Sequence, residues 1–408
     1  MVVLDDLIKE NGTVFSIANR GHRLDTAESV KDFAETLQSL DNLLQIELNG
    51  NSLSVDACGA LGQVLKEKRH LKRAVLFDIF TGRLLTEIPF ALKHLFDAFE
   101  QVDLVELDLS DNAFGPAGAE PLIEFLSNTK TLQILSLNNN GLGLGGGAMI
   151  AKALQASADK AKAENRASSL RTIICGRNRL EDDSCAALAR AFSSHTNLEV
   201  VRVPQNGISK GGIRTIIEGL RACKKLRHLD FQDNTFTYKD SKALAKALPC
   251  WPQLEILNVS DCMLKNKGGI RLFEALKLGK NKYLREIFAQ YNEFDHGPIL
   301  ILAEAIKDHL KLLEKLELNG NGVDEDHKAV DVLREALASH GHETALDEFS
   351  DVEEIDYEEE SEEEESEEEE SELVQEAEEA EEKEPTEKSN IQKEVEDELI
   401  EKLSSTHI

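Results

Sequence analysis

Apolar residues recur along the chain in a fixed figure, L-x-x-L-x-L-x-x-N-x-L. It is met at Leu132, Leu135, Leu137, Asn140 and Leu142, and again at Leu198, Val201, Val203, Asn206 and Ile208. The asparagine slot falls at Asn51, Ile79, Asn112, Asn140, Asn178, Asn206, Asn234, Cys262, Asn292 and Asn321. The intervals are 28, 33, 28, 38, 28, 28, 28, 30 and 29 residues, a period that marks a repeat architecture. Alternating apolar positions before each slot predict a short strand. The stretch after it has helical spacing, as in Ile213, Ile216, Ile217 and Leu220 or Cys185, Leu188, Ala189 and Phe192. Each unit therefore reads strand, turn, helix.

No such unit buries its own apolar face, so neighbours must stack. The predicted fold is an α/β leucine-rich-repeat horseshoe, a solenoid with an inner parallel sheet and outer helices. The slot asparagine can serve both donors and acceptors of the turning backbone, so it is structural by default. Residues 1–40, with Phe15 and Ile17 alternating ahead of a helical stretch Val30 to Leu40, predict an atypical first repeat that caps residues 41–346. Val330, Leu333 and Leu337 mark the last helix, and Glu343 to Tyr357 hands over to an acidic tail, 347–408.

Charge is concentrated in that tail. Asp347 to Ile408 hold 30 Asp/Glu against 4 Lys, while residues 1–346 hold 47 acidic against 42 basic residues. The run Glu358 to Glu372 lacks the apolar surface to offset the entropy of ordering, so disorder is expected there. Ile391, Val395, Leu399 and Leu403 have the spacing of a short amphipathic helix that would form on a partner. Cys58, Cys175, Cys185, Cys223, Cys250 and Cys262 show no metal-ligand spacing, which fits a reducing compartment and no bound metal. The acidic N-terminus and the lack of an 18-residue apolar run point away from secretion and membrane spanning.

Candidate contact residues are those just before each slot, where a horseshoe turns from its concave face to its rim. They include Phe77 and Asp78, Ser110 and Asp111, Asn138 and Asn139, Gly176 and Arg177, Gln232 and Asp233. Acidic and amide groups dominate, which suits a partly basic protein partner. One unit departs from the pattern: its slot is Ile79, followed by five extra residues and the run Phe80, Thr81, Gly82, Arg83. An exposed Phe80 beside Arg83 would make a contact cluster. The equal alternative is a packed insertion whose Arg83 only pairs with a neighbouring acid. The glycines from Gly141 to Gly146 match a dinucleotide fingerprint formally, yet Asn206 to Gly212 repeats the same turn chemistry, so no nucleotide or other cofactor is inferred. Nothing in the chain forms a nucleophile–base pair, a His-Glu-x-x-His site or a phosphate loop.

Four polar signatures go beyond the leucine period: Phe80 to Arg83, Leu109 to Pro116, Cys175 to Glu181 and Asp233 to Thr237. In these the chain resembles the Ran GTPase-activating proteins, from roughly the first repeat to the tail. The resemblance implies activation in trans of Ran in its GTP-bound form, without an arginine finger, by fixing the GTPase's own glutamine. It identifies Asn139 as the catalytic asparagine and Arg83 and Asp233 as GTPase-binding residues; Phe80, Asp78 and Asp111 join them as contact candidates. Where the family carries a basic residue two positions after that arginine, this chain has Leu85, so one charge contact is missing.

The resemblance further implies a role in nucleocytoplasmic transport, a Ran-binding protein as co-partner, no nucleic acid or membrane partner, and a monomeric, cytoplasmic and perinuclear protein. The tail matches the family's acidic segment and would attract a basic surface, with Ser361, Ser366 and Ser371 as acid-flanked phosphorylation candidates. The chain stops short of the modifier-accepting C-terminal domain of animal members, which argues against tethering at nuclear pores. Two other readings compete: a non-catalytic acidic binding module of the histone-chaperone kind, and an inhibitor of an intracellular ribonuclease.

Overall fold

A computed structural model describes residues 2–209 and 211–349; the tail signatures, the serines and the 391–403 helix lie outside them. All described residues belong to one compact unit, Met1–Glu354. It opens with α1 (Val2–Asn11), β1 (Thr13–Ser16), β2 (Arg23–Leu24), α2 (Lys31–Ser39), β3 (Leu43–Glu47), β4 (Ser52–Leu53) and α3 (Val55–Leu65). Nine further units follow. They are β5 (Arg73–Val75) with α4 (Ile88–Phe99), β6 (Glu106–Asp108) with α5 (Gly115–Asn128), β7 (Ile134–Ser136) with α6 (Gly143–Ala163), and β8 (Thr172–Ile174) with α7 (Glu181–Ser194). Next come β9 (Val200–Arg202) with α8 (Gly212–Leu220), β10 (His228–Asp230) with α9 (Tyr238–Ala247), β11 (Ile256–Asn258) with α10 (Lys265–Lys277), β12 (Glu286–Phe288) with α11 (His296–Asp308), and β13 (Lys315–Glu317) with α12 (Lys328–Ala338).

Eleven strands form one sheet in the order β1-β3-β5-β6-β7-β8-β9-β10-β11-β12-β13, and every pairing is parallel. The register places Leu107, Leu135, Ile173, Val201, Leu229, Leu257, Ile287 and Leu316 side by side, all buried. That row is the inner wall of the core, and the apolar faces of the helices are the outer wall. The long interval before Asn178 is accounted for by α6, which runs 21 residues. At the C-terminal edge the chain adds a further pairing. Leu316 N–H donates to Ala345 O, and the Asp347 carboxylate accepts from the Leu318 and Asn319 N–H groups. Ala345 and Phe349 are buried, so the packed end extends past the expected boundary at 346.

The slot asparagines tie the turns together. The Asn112 amide donates to Leu76 O at 2.9 Å and Leu109 O at 2.7 Å, and its Oδ1 accepts from Ile79 N–H at 2.9 Å. Its own N–H donates to Asn140 Oδ1, and the relay continues through Asn178, Asn206 and Asn234. Cys262 interrupts it, with a thiol 3.4 Å from Phe231 O and Ser260 O, and Asn292 and Asn321 resume it. All eight slot asparagines are buried, so the expected structural role is met.

Truncating Asn140 orphans a buried backbone group. Asn140→Ala strands Asn112 N–H, while Leu109 O loses one of its two donors and keeps the Asn112 amide; an unsatisfied buried group costs about 1–3 kcal/mol. Chemical denaturation should show unfolding free energy lowered by about 1–3 kcal/mol; no measurable loss would refute the role.

Candidate functional site

Just ahead of each slot the backbone must leave the strand and turn outward. It does so through a left-handed residue in every repeat: φ is +47° at Asp78, +60° at Asp111, +52° at Asn139, +55° at Arg177, +54° at Gln205, +54° at Asp233 and +55° at Asp261. This conformation costs roughly 1–2 kcal/mol for most L-residues and is easiest for Gly, Asn and Asp. The abundance of acids and amides at these positions thus has a conformational cause, as well as any cause in a partner. The N–H of each such residue donates to the residue two before the next slot, as Asp111 does to Asn138 O and Asn139 to Gly176 O. The row is therefore a rigid file of outward-facing side chains at about 4.8 Å per strand.

Within this file the structure brings Asp111 and Asn139 together. Asn139 Nδ2 donates to Asp111 Oδ1 at 2.9 Å. A carboxylate accepts only, which sets the Asn139 amide nitrogen toward Asp111 and leaves its carbonyl oxygen without a hydrogen bond among the described residues. Its neighbour Asn138 is committed inward, with its Oδ1 accepting from Gly176 N–H at 2.6 Å. Gly176 is required there, since a Cβ would stand 2.7 Å from the Pro204 ring. Asn138, Asn139 and Asn140 are thus adjacent in sequence and differ in their bonds: Asn140 is buried, while Asn138 and Asn139 are half-buried and only Asn139 bonds a side chain of the file.

Asp78 lies two strands before Asn139, and Asp233 three strands after it. Asp78 takes the Thr81 hydroxyl as a partner. Arg177, the next residue in the file after Asn139, is exposed and supplies the positive charge nearest the amide along the row. Sequence reasoning noted Arg177 without assigning it a role, although its position one repeat after Asn139 was a usable signal.

The other two candidates lie elsewhere. Phe80, expected to be exposed, is buried at 4% relative exposure; the five extra residues fold its ring into the core, so it supports the turn and offers no contact surface. Arg83 is turned inward too, with its side chain 7% exposed. Its guanidinium bonds Asp25 Oδ1 at 2.6 Å, Ser52 O at 2.7 Å and Leu24 O at 3.1 Å, tying the irregular unit to the first repeat. The Arg83 guanidinium beside Asp25 holds that carboxyl below its usual range. Of the two readings of this unit, the packed insertion is the one observed. Leu85, in contrast, is exposed.

Charge divides the two rims. Loops running from strand to helix between Leu76 and His327 carry 4 Lys/Arg against 10 Asp/Glu, whereas helix-to-strand loops between Lys66 and Glu314 carry 15 against 7. The rim that holds Asn139 thus carries the acidic excess, with half of its acidic residues in the two loops 289–295 and 318–327. Burial pushes the Cys58 and Cys175 thiols up to about 12, which removes them as nucleophiles. Among the described residues no group of three or more His, Cys, Asp or Glu could hold a metal ion.

Known proteins match this architecture and more. A Leucine Rich repeat profile matches residues 103–122 and 222–245. Ran GTPase-activating protein 1 of Saccharomyces cerevisiae is 38% identical over 335 residues, covering 80% of this chain and 82% of its own length. Ran GTPase-activating protein 1 of Xenopus laevis is 43% identical over 191 residues, 46% of this chain and 33% of that protein, so the chain matches about a third of that relative's length. The ribonuclease inhibitor of Sus scrofa is 27% identical over 237 residues, 57% of this chain and 48% of its own. The similarity to the activators is higher in identity and, for the yeast protein, continuous over most of both chains. With that span and identity, this chain belongs to the Ran GTPase-activating protein family.

Proposed function

We propose that this protein activates the small GTPase Ran in its GTP-bound form, with Asn139 acting on the GTPase's own glutamine. The observation that carries the reading is the Asn139 amide, whose nitrogen is fixed by Asp111 and whose oxygen is left free for a partner. Such a carboxamide meets a glutamine carboxamide with matched groups: Asn139 Oδ1 accepts from the glutamine NH2, and the remaining Nδ2 hydrogen donates to the glutamine oxygen. Holding that side chain in one conformation orients the attacking water in line with the γ-phosphate. The GTPase supplies nucleotide and magnesium; the activator supplies position. No arginine finger is needed, and the inward guanidinium of Arg83 is not poised as one.

On this reading Asp111 is a positioning residue, Asp233 and Asp78 hold basic groups of the GTPase, and Arg83 fixes the 80–87 loop against the first repeat. The acidic tail raises the encounter rate with a basic partner surface by long-range attraction, which salt screens. The activator works as a monomer, together with a Ran-binding protein, in the cytoplasm around the nucleus. Imaging of a fluorescently tagged chain tests that location.

Single-turnover GTP hydrolysis by Ran measures the central claim. Asn139→Ala should lower stimulated turnover by about 10²-fold or more, in the range of lost transition-state positioning groups. Asn139→Asp, which keeps a side chain suited to the left-handed backbone, should fall similarly, separating lost chemistry from backbone strain. Asp111→Ala should cost about 10-fold in turnover with affinity little changed. A folded Asn139→Ala at full rate would sink the mechanism.

For Arg83→Ala the expected loss lies in stability and affinity, with saturating turnover reduced far less than the roughly 10³-fold of a lost finger. Thermal melts beside titrations of Ran check both. Removal of residues 355–408, which spares the packed Asp347 and Phe349, should slow association at low salt and leave it unchanged at high salt. Identical rates at both would assign the tail to solubility alone.

A further inference from the structure

Successive outer helices close on one another through small residues. At α3/α4, a Cβ on Gly62 would stand 2.8 Å from His94 O, and at α5/α6 one on Gly146 would stand 3.3 Å from Pro116 Cα. The intervening α4/α5 seam is built differently, from Phe96, Phe125, Pro89 and Pro121. Pro121 lies inside α5, where its ring removes an intrahelical donor and keeps a neighbour away. Phe96 and Phe125 meet with ring centroids 5.4 Å apart and hold the two helices apart. The outcome is an open groove of about 380 Å³ between α4 and α5. It lies directly after the irregular unit, whose five extra residues set where α4 begins.

Two further features mark this groove. Phe90 stands on its wall with 64% of its surface exposed, and Leu84 and Leu85, just upstream, are 65% and 64% exposed. Three large apolar side chains are thus left open within seven residues, and Phe90 is the one that lines the groove; open apolar surface of this kind is what partners cover. The rim is acidic as well. Lys93 is tied to Asp97 at 2.7 Å, while Glu100, Glu120 and Glu124 line the groove and have no ion-pair partner among the described residues. The rim thus holds four carboxylates against the single cation Lys93, and an apolar floor under that acidic excess is complementary to an apolar anchor carried among positive charges.

We infer that the α4/α5 groove is a docking site for a short segment of a partner protein, an aromatic or leucine anchor flanked by Lys or Arg. The groove lies on the helical side of the solenoid, between elements that do not carry the Asp111–Asn139 pair's outward face, so both surfaces are open at once. The assignment does not depend on the GTPase reading.

Selection of phage-displayed peptides on the full chain tests it, with Phe90→Glu and the double variant Glu120→Lys/Glu124→Lys as counter-targets. Because Phe90 is mostly exposed, its replacement leaves the core intact, which a thermal melt verifies. Enriched peptides should carry an apolar anchor flanked by Lys or Arg. Fluorescence anisotropy of a labelled selected peptide should show binding at least 10-fold weaker to either variant, with stimulation of Ran unchanged in Phe90→Glu. Selected peptides that bind the variants equally, acidic peptides, or no enrichment would overturn the proposal. So would self-association of the wild-type chain in light scattering that Phe90→Glu abolishes, since that would give the groove to a second copy.

Discussion

The side-chain amide that closes each turn is the bond on which the solenoid depends. A strand of three residues has too few backbone groups to define where it ends, and the chain must turn sharply to reach the outer helix. At Asn112, Asn178 and Asn206 one buried amide satisfies carbonyls of its own and the preceding turn while accepting the N–H of the previous slot, and Asn140 does the same for the preceding turn alone. Because each asparagine completes its neighbour, turn geometry is copied from repeat to repeat, and the residue just before it is forced into the left-handed region each time. The outward file of side chains is a by-product of that internal bond.

This coupling explains how a rim residue gains chemistry. An amide on a flexible surface loop would lose conformational entropy on binding a partner. Asn139 has little left to lose: its backbone is set by the turn, its N–H is bonded to Gly176 O, and its side-chain nitrogen is held by Asp111 from the adjoining repeat. The same argument weakens a purely electrostatic account of the rim. Asp78, Asp111, Asp233 and Asp261 suit a positive φ by their short polar side chains, so charge there serves the backbone first and a partner second. Arg177, Gln205 and Tyr291, which hold the same conformation without that ease, are the positions where the backbone argument gives no reason for the residue.

The irregular unit shows the converse, a local break in the pattern. Ile79 fills a slot meant for asparagine and is buried, and Phe80 follows it inward. Arg83 spans back to Asp25 and to carbonyls at Leu24 and Ser52, joining the irregular turn to the first repeat. Downstream, the α4/α5 seam is lined by aromatic and proline side chains, whereas the seams on either side close on glycine. The irregular turn and the open seam thus lie in successive stretches of the chain.

Periodicity by itself determined the repeat, its slot asparagines and the inner parallel sheet, because each of these follows from local spacing and from burial of a repeated apolar face, whereas the role expected of Asn139 came from the family resemblance. The buried Phe114 and Phe236 and the Thr237–Asp240 capping box show that much of the polar signature was also local turn and helix-start chemistry, legible in order along the chain. Tertiary structure alone decided the direction of Arg83 and Phe80, whose partners lie up to 59 residues away, and the pinning of Asn139 by Asp111, 28 residues distant. It alone decided the groove between α4 and α5. Spacing along a chain fixes which residues share a face; which neighbour a long side chain reaches, and whether two helices meet closely or stand apart, depends on packing across repeats, where one glycine or proline changes the answer.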